Sequence, residues 1–366
     1  MPSGKPGMTE SANNFWKDRR VFVTGHTGFK GSWLILWLNQ LGAKITGYSL
    51  NPLPDQTLFT ELNLSEKITD LRGDITDNKK LQDALTGSSP EVVIHMAAQS
   101  LVRESYRSPV DTLRTNIIGT ANLLESIRYV DSVRAALIVT SDKSYRNTGK
   151  LRAYIEDDHL GGHDPYSASK ACAEIVASSY RDSFFSASNE ASIGIATARS
   201  GNVIGGGDWA KDRLIPDAMR AFAQGQPLTI RAPTATRPWQ HVLEPLSGYL
   251  LLCKKLWDEP KQYSGAWNFG PDPDGIMSVE HVVSRLVDLY GYGACWHHEI
   301  PSNHMHEAEL LSLNITKARE KLGWSPRWNL ELTLMETVDW YQQKILGQSS
   351  VDEITIQQIR RYGPLD

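Results

Sequence analysis

The sequence predicts an α/β fold with a doubly wound parallel sheet and a smaller C-terminal α/β lobe that binds substrate. From Arg20 onward, short apolar runs alternate with helical patterns, the order typical of βαβ units. Two of these runs, VVIHM and ALIVT, are almost continuously apolar, as strands buried on both faces are. The first run ends at Gly25 in a glycine-rich turn that leads into a helix. Together these observations predict a Rossmann-type sheet.

The expected elements follow in chain order. Strands are predicted at 20–25, 43–50, 68–71, 92–96, 136–140 and 193–198. A helix with an apolar face at Trp33 follows the first strand, and others are predicted at 78–85, 110–129 and 165–185. After residue 200 the elements become shorter, with strands at 228–230 and 267–270 and helices at 243–257 and 279–290. The chain therefore divides into a disordered leader (1–14), a dinucleotide-binding domain (15–200, joined by some later segments) and a substrate lobe (201–366).

Composition limits the class of protein. The 366 residues carry 38 Lys and Arg against 42 Asp and Glu, a formal charge of −4 that argues against a nucleic-acid partner. We find no apolar run long enough for a membrane span and no signal peptide. Three scattered cysteines and the pairs His297-His298 and His304-His306 give neither a disulfide framework nor an ordered metal-ligand set. We expect a cytoplasmic protein with no metal and no membrane partner.

The turn after the first strand has a phosphate-binding pattern. Gly25, Gly28 and Gly31 form G-x-x-G-x-x-G, and the helix that follows offers its N-terminus to a pyrophosphate. The second strand ends in Ser49-Leu50-Asn51, with neither a carboxylate for the adenosine ribose nor an arginine for a 2′-phosphate. Asn51 can still hydrogen-bond a ribose hydroxyl, so we interpret the cofactor as NAD.

Two further motifs carry reactive side chains. Tyr166 and Lys170 lie four residues apart in a helix that starts at Asp164-Pro165, so they share one helix face. An ammonium beside a phenol favours the phenolate, which can accept a hydroxyl proton. The fifth strand ends in Thr140-Ser141-Asp142-Lys143, at the sheet edge where α/β proteins bind ligands. On their own, a solvated Tyr-Lys pair and an ordinary turn explain these two patterns as well.

These motifs, with HMAAQS (95–100), Asn116, SGNVIGGGDW (200–209) and RPWQHV (237–242), together resemble the extended short-chain dehydrogenase/reductase family. The resemblance covers the chain from about residue 15, is strongest to the nucleotide-sugar 4,6-dehydratase branch, and at Lys143 points to its CDP-sugar members. It implies that CDP-glucose loses water while NAD carries a hydride from C4 to C6, as in deoxysugar synthesis for O-antigen lipopolysaccharide. The alternatives are a nucleotide-sugar 4-epimerase, which needs no Asp142-Lys143 pair, and a dehydratase for another NDP-hexose.

The resemblance also implies residue roles. Tyr166 with Lys170 takes the first proton, Thr140 hydrogen-bonds the sugar 4-hydroxyl, Lys143 is the candidate base at C5 and Asp142 the candidate acid at C6. Two helices (110–129 and 165–185) would form the interface of a homodimer or a dimer of dimers. His26 and Lys30 depart from the usual glycine loop and would weaken the hold on NAD. The expected cofactor contacts are Gly25, Thr27, Gly28, Phe29, Lys30, Gly31, Asn51, Asp74, Ile75, Ala97, Ala98, Gln99, Asn116, Thr140, Tyr166 and Lys170. The expected substrate contacts are Ser100, Ser141, Asn202, Arg213, Arg237 and His241.

Overall fold

The computed structural model describes residues 12–52, 57–149, 152–185, 193–299 and 311–365. Within these ranges the strands, in chain order, are β1 (Arg20–Thr24), β2 (Lys44–Ser49), β3 (Thr69–Arg72), β4 (Val92–His95), β5 (Ala135–Val139), β6 (Gly194–Ser200), β7 (Asn202–Ile204), β8 (Leu228–Ile230), β9 (Thr236–His241), β10 (Gly265–Phe269), β11 (Ile276–Ser278) and β12 (Trp296–His298).

The α-helices of the described ranges, again in chain order, are α1 (Ala12–Phe15), α2 (Phe29–Gln40), α3 (Leu58–Glu61), α4 (Asn78–Ser88), α5 (Val102–Arg107), α6 (Pro109–Leu113), α7 (Gly119–Ile127), α8 (Pro165–Tyr180), α9 (Leu214–Ala223), α10 (Leu243–Asp258), α11 (Pro260–Tyr263), α12 (Val279–Tyr290), α13 (Leu330–Ile345) and α14 (Val351–Tyr362). A π-helical turn (Arg114–Ile118) joins α6 to α7, and another (Arg181–Phe185) extends α8.

The main sheet has seven parallel strands in the order β10-β6-β5-β4-β1-β2-β3. Consecutive residues of β1 point to opposite faces: Val21 and Val23 pack in the core shared with α2 and α10, and Phe22 packs in the core shared with α4 and α7. The strand order reverses between β1 and β4, which opens a crevice at the carboxyl ends of the strands. The structure therefore confirms the doubly wound Rossmann-type sheet.

The later part of the chain is shared between the main sheet and a lobe. β10 pairs with β6 at the edge of the main sheet, although it lies 65 residues beyond the end of β6. A three-stranded sheet (β11-β9-β7) and a β12-β8 pair belong to the lobe. The expected strand at 228–230 and the helix at 279–290 are found at those residues. The short strands β7, β9 and β11 were not predicted, because three to six residues give too little alternation to be recognised.

The prediction of a disordered leader over residues 1–14 is wrong for its last three residues. Residues 1–11 lie outside the described residues, but residues 12–14 belong to α1, and Ala12 is buried. Phe15 and Trp16 follow it into the core, where the Phe15 and Trp16 rings meet edge-to-face at 5.0 Å. The first ordered helix therefore begins inside the segment that we expected to be disordered.

Candidate active site

The crevice at the strand ends holds a cleft of about 1920 Å³ between the main sheet and the lobe. Pockets for single drug-sized ligands usually measure about 300–1,000 Å³. The cleft is therefore large enough for two extended ligands at once. The glycine loop lies at one end of the lining, the TSDK strand end and α8 lie in the middle, and the lobe segments from Asn202 to Arg237 close the other side.

The glycine loop is shaped by close backbone contacts. A Cβ on Gly25 would lie 2.5 Å from the Ala97 backbone nitrogen, and Gly25 has a φ of +76°. A Cβ on Gly31 would lie 2.3 Å from the Gly25 carbonyl oxygen, so β1 and α2 pack at a distance that only glycine permits. Gly28 caps α2 without any side-chain hydrogen bond, which leaves the helix N-terminus open to the cleft. This cradle fits the pyrophosphate of a dinucleotide.

The neighbouring wall contains most of the expected cofactor residues. Thr27, Phe29, Asp74, Ile75, Ala97, Ala98 and Gln99 all line the cleft. The Thr27 hydroxyl shares a hydrogen bond of 2.8 Å with the Ser49 hydroxyl. Asn51 is exposed and does not belong to the lining, whereas Ser49 and Leu50 do. The expected ribose contact at Asn51 stays a prediction, and Ser49 with Thr27 is the hydroxyl pair that lines the cleft at the end of β2.

Asn116 supports this wall from behind. Its amide accepts the Gln99 backbone N–H at 2.8 Å and donates to the Gln99 carbonyl at 3.0 Å. It also donates to the Ser169 hydroxyl on α8 at 2.8 Å, and it is buried. Asn116 is absent from the cleft lining. The expectation of a direct cofactor contact is therefore wrong for Asn116, which instead fixes the Ala97–Gln99 segment against the catalytic helix.

The Tyr166-Lys170 pair lies where α8 begins. Asp164 caps the helix by accepting the Ser167 N–H at 2.9 Å, and Pro165 occupies its first position. Both side chains line the cleft and are mostly buried. Burial raises the pKa of Tyr166 to about 12, against the Ser141 hydrogen bond and the Arg213 charge, which lower it. Burial lowers the pKa of Lys170 to about 8, and the charge of Glu174 opposes that change.

The strand-end residues divide their hydrogen bonds between the cleft and the protein interior. Thr140 donates its hydroxyl proton to the Glu174 carboxylate, and the Ala198 carbonyl lies 3.3 Å away as a second acceptor. The Ser141 hydroxyl instead donates to Asp142 Oδ1 at 2.9 Å. Thr140 also lines the cleft, so its expected contact with the sugar 4-hydroxyl stays a prediction.

Asp142 and Lys143 are brought together beside the Tyr166 pair. Asp142 Oδ1 accepts the Ser141 hydroxyl at 2.9 Å and lies 3.8 Å from Lys143 Nζ. The Asp142 side chain is 2% exposed and that of Lys143 is 31% exposed. A Cβ on Gly201 would lie 3.1 Å from Asp142 Oδ2, so the carboxylate is enclosed by the lobe backbone. Both side chains line the cleft beside Tyr166.

The two unusual residues of the glycine loop point in different directions. His26 is buried in the core, where its Nε2 lies 2.8 Å from Asp70 Oδ1, and burial lowers the pKa of its imidazole. Lys30 reaches across the cleft floor, and its Nζ donates to Ser200 Oγ at 3.0 Å. Burial, followed by the charges of Arg213 and Lys170, lowers the pKa of Lys30 to about 7. The Lys30 amine therefore lies in the cleft lining and can change protonation near neutral pH. The spacing of the glycine motif did not reveal this.

The lobe supplies cations to the far end of the cleft. Arg213 Nη1 lies 2.9 Å from Asp208 Oδ2, and its Nη2 donates to Ser100 at 3.3 Å, so it links the lobe to the main domain. Asn202 and Arg237 also line the cleft. Sequence reasoning missed a second ion cluster in the lining, in which Asp212 Oδ1 lies 3.0 Å from Arg103 Nη1 and 3.4 Å from Arg231 Nη2. These three residues are distant in sequence and belong to no motif.

His241 does not reach the cleft. It is buried between the rings of Trp33 and Trp328, with centroids 5.7 and 4.7 Å away. Its Nδ1 accepts the Leu243 N–H at 3.3 Å, and burial lowers its pKa to about 3. The expectation of a substrate contact is therefore wrong. β9 carries Arg237 into the cleft, whereas its last residue points into the aromatic core.

Comparison with known proteins agrees with this geometry. The model of the family described as GDP-mannose 4,6 dehydratase matches residues 22–337. The chain belongs to this family. CDP-glucose 4,6-dehydratase of Salmonella typhimurium is 48% identical over 337 residues, which are 92% of this chain and 94% of that protein. The GDP-mannose 4,6-dehydratase family assignment confirms the expected nucleotide-sugar dehydratase branch.

Solved structures show the same architecture as this GDP-mannose 4,6-dehydratase family member. MoeE5 in complex with UDP-glucuronic acid and NAD has a TM-score of 0.74 at 25% identity, over 88% of this chain and 99% of that one. The dTDP-glucose 4,6-dehydratase of Bacillus anthracis in complex with NAD has a TM-score of 0.72 at 21% identity, over 89% and 97%. These likenesses confirm the predicted fold.

The remaining expectations concern metals and membranes. Among the described residues, we find no cluster of three or more His, Cys, Asp or Glu side chains arranged to bind a metal. His297 and His298 lie on β12, and the pair His304-His306 falls outside the described residues. None of the helices in the described ranges combines the length and hydropathy that a bilayer span requires.

Proposed function

We propose that this protein is an NAD-dependent CDP-glucose 4,6-dehydratase, a hydro-lyase that converts CDP-D-glucose into CDP-4-dehydro-6-deoxy-D-glucose and water. The observation that carries the proposal is the 48% identity to the Salmonella typhimurium enzyme over nearly the full length of both chains. The cleft supports it independently, because it combines a dinucleotide cradle with Tyr166, Lys170, Asp142 and Lys143. Such an enzyme belongs to deoxysugar biosynthesis.

The cofactor is held by groups that the glycine loop and its neighbours expose. The open N-terminus of α2 at Gly28 would receive the pyrophosphate, and Ser49 with Thr27 would meet the adenosine ribose. Lys170, whose amine donates to the Val139 carbonyl at 3.3 Å, would hold the nicotinamide ribose. A bound NAD supplies a hydride acceptor for C4 of the sugar and a hydride donor for C6.

Tyr166 acts as the base at the 4-hydroxyl. Burial holds its phenol protonated in the ligand-free protein, with a pKa of about 12. Ser141 and Arg213 already favour the phenolate, and a cationic ligand beside the ring adds to their effect. Tyr166 therefore becomes a better proton acceptor when a cationic ligand occupies the cleft.

Asp142 and Lys143 carry the elimination. A ketone at C4 acidifies the C5 hydrogen, and the Lys143 amine is the candidate base for it. Asp142 is the candidate acid that protonates the departing C6 hydroxyl. Its carboxylate is enclosed by the Gly201 backbone and accepts the Ser141 hydroxyl at 2.9 Å. Both ends of the elimination are therefore served from a single strand end.

An isotope experiment tests the proposed reaction. CDP-glucose deuterated at C4 should give a 6-deoxy-4-keto product that carries the deuterium at C6. Return of the deuterium to C4 with inversion would identify a 4-epimerase instead. Parallel incubations with dTDP-, UDP- and GDP-glucose test the nucleobase, and preferential turnover of one of them would replace CDP-glucose as the substrate.

The surface supports the expected homodimer or dimer of dimers. Val110, Ile118, Ile175 and Phe184 are exposed on the stretches 109–127 and 165–185, which pack side by side. Exposed apolar side chains on neighbouring helices are typical of an interface. Replacing Ile175 by Glu should lower the sedimentation coefficient from that of a dimer to that of a monomer. An unchanged sedimentation coefficient would place the interface elsewhere.

A further inference from the structure

Glu174 is a buried carboxylate that takes no part in the reaction steps proposed above. Glu174 lies on α8 one turn beyond Lys170, and its side chain is 3% exposed. One carboxylate oxygen accepts the Thr140 hydroxyl at the end of β5. The other accepts the Thr197 hydroxyl at 2.7 Å and Arg199 Nη2 at 2.8 Å, both on β6. Glu174 therefore ties the catalytic helix to two central strands.

Arg199 completes a buried ion pair with this carboxylate. Its Nη1 donates to the Tyr145 hydroxyl at 2.7 Å and to the Glu156 carbonyl at 2.9 Å. Burial alone would lower the pKa of Arg199, but the charge of Glu174 outweighs it and raises the pKa above the usual value. Buried ion pairs contribute little net stability, because desolvation offsets the attraction. A contribution to folding stability therefore does not by itself explain why Glu174 and Arg199 form a buried ion pair here.

Lys170 experiences the charge of Glu174 across one helical turn. Burial favours the neutral amine, and Glu174 is the charge that opposes burial. The other ionisable groups around the amine give no such support. The charge of Lys170 lowers the pKa of Lys30 on α2. His95 on β4 is neutral with a pKa of about 3, and Tyr166 is protonated in the ligand-free protein. The charge of Glu174, one helical turn away, therefore favours the ammonium form of Lys170.

We propose that Glu174 is a positioning residue for the reaction, which anchors α8 to β5 and β6 and so holds Lys170 at the strand ends where the cofactor ribose binds. The inference rests on the proposed function, since it takes Lys170 to serve a nicotinamide cofactor. Removal of the Glu174 charge would leave Arg199 as an unbalanced buried cation. Lys170 would then lose its proton closer to neutral pH, and its grip on the ribose with it.

Glu174→Gln in the full chain tests this inference through cofactor affinity. Titration calorimetry with NAD between about pH 6 and pH 9 should show wild-type affinity falling above about pH 8, as Lys170 loses its proton. In E174Q the fall should begin about one pH unit lower, as expected for the loss of one nearby buried charge. The basic limb of the pH profile, which is the range above the optimum where kcat/KM for CDP-glucose falls, should move by the same amount. An unmoved limb in both measurements would overturn the proposal.

Three further variants separate charge from packing. Thr197→Val removes a hydrogen bond from the same carboxylate but keeps its charge, so the limb should stay in place while Tm falls. Glu174→Asp keeps the charge and should also keep the limb. The double variant E174Q/R199M removes the unbalanced Arg199 cation but still lacks the Glu174 anion, so it should recover part of the Tm lost in E174Q while its limb stays displaced. If Glu174 were only structural, the limb would keep its wild-type position in E174Q and in the double variant.

The design also separates this inference from the proposed function. NAD affinity does not depend on which sugar nucleotide is the substrate. A wild-type protein that binds NAD but leaves CDP-glucose unchanged would refute the proposed function and leave the Glu174 inference open to the calorimetric result. If E174Q does not fold, E174D and the double variant decide, since a limb displaced in E174D would contradict the charge argument.

Discussion

Thr140 donates its hydroxyl to the Glu174 carboxylate, whereas Ser141, its neighbour in the chain, donates its hydroxyl to Asp142 Oδ1 at 2.9 Å. Two adjacent hydroxyls at one strand end thus bind different carboxylates. Asp142 lines the cleft, and Glu174 lies in the buried network that anchors α8. This division of roles leads to opposite expectations for the two residues.

Ser141→Ala should lower kcat by about 10²-fold, the usual contribution of one positioned acid–base partner, with little change in Tm. Thr140→Val should show the reverse pattern, because it removes a donor from the Glu174 carboxylate. We expect it to lower the free energy of unfolding by about 1–3 kcal/mol and to leave more of kcat intact. Steady-state kinetics and urea unfolding on both variants check this. A larger loss of kcat in T140V than in S141A would support the expected contact between Thr140 and the sugar 4-hydroxyl.

Asp142→Asn should block the loss of water while the first oxidation still proceeds. The amide cannot protonate the C6 hydroxyl, but Tyr166 and Lys170 remain intact. The oxidised intermediate should therefore accumulate together with reduced cofactor, seen as the absorbance of enzyme-bound NADH after CDP-glucose is added. Asp131→Asn, at an exposed position outside the cleft, serves as the control. Full turnover by D142N would exclude Asp142 as the acid.

Gly31→Ala should abolish NAD binding. The added methyl group would lie 2.3 Å from the Gly25 carbonyl oxygen and 2.7 Å from the His26 Cα, both backbone atoms that cannot rotate away. The matched control is Gly87→Ala in α4, where nothing lies within 4 Å of the added carbon. That control should gain up to about 1 kcal/mol in unfolding free energy, since alanine is the better helix former. Dinucleotide titration and thermal unfolding measure both effects, and NAD affinity retained in G31A would contradict the loop geometry.

Two buried histidines should make the protein sensitive to acid. Burial lowers the pKa of His95 and of His241 to about 3, well below the value of about 6.5 in an unfolded chain. Between these values the unfolded state binds more protons, so the unfolding free energy falls as pH drops below about 6.5. Each histidine contributes a slope of about 1.4 kcal/mol per pH unit.

His241→Phe should lower the slope of unfolding free energy against pH by about 1.4 kcal/mol per pH unit, the contribution of one histidine. Urea unfolding between about pH 4 and pH 7 compares the variant with wild type. His297→Gln, on the exposed strand β12, is the control that should leave the slope unchanged. An equal slope in H241F and wild type would show that His241 is not buried as a neutral imidazole.

Much of the site could be predicted because its residues are close together in sequence or follow a periodic element. The glycine loop joins a strand to a helix, and Tyr166 and Lys170 share a helix face, so spacing alone places them. His241 was misplaced because a single residue decides whether the end of a strand faces the cleft or the core. Asp212, Arg103 and Arg231 were missed because their contact joins distant segments.

The sequence by itself determined the parallel sheet, the dinucleotide loop and the catalytic helix, because these depend on local periodicity and on glycine where no side chain fits. Only the tertiary structure decided which carboxylates the Thr140 and Ser141 hydroxyls bind, where Lys30 reaches, and which charge acts on Lys170. These outcomes depend on burial and on contacts between β1, β5, β6 and α8, which the order of residues does not reveal. Burial then sets the protonation of Tyr166, Lys170 and Lys30, and so decides how the predicted side chains can act.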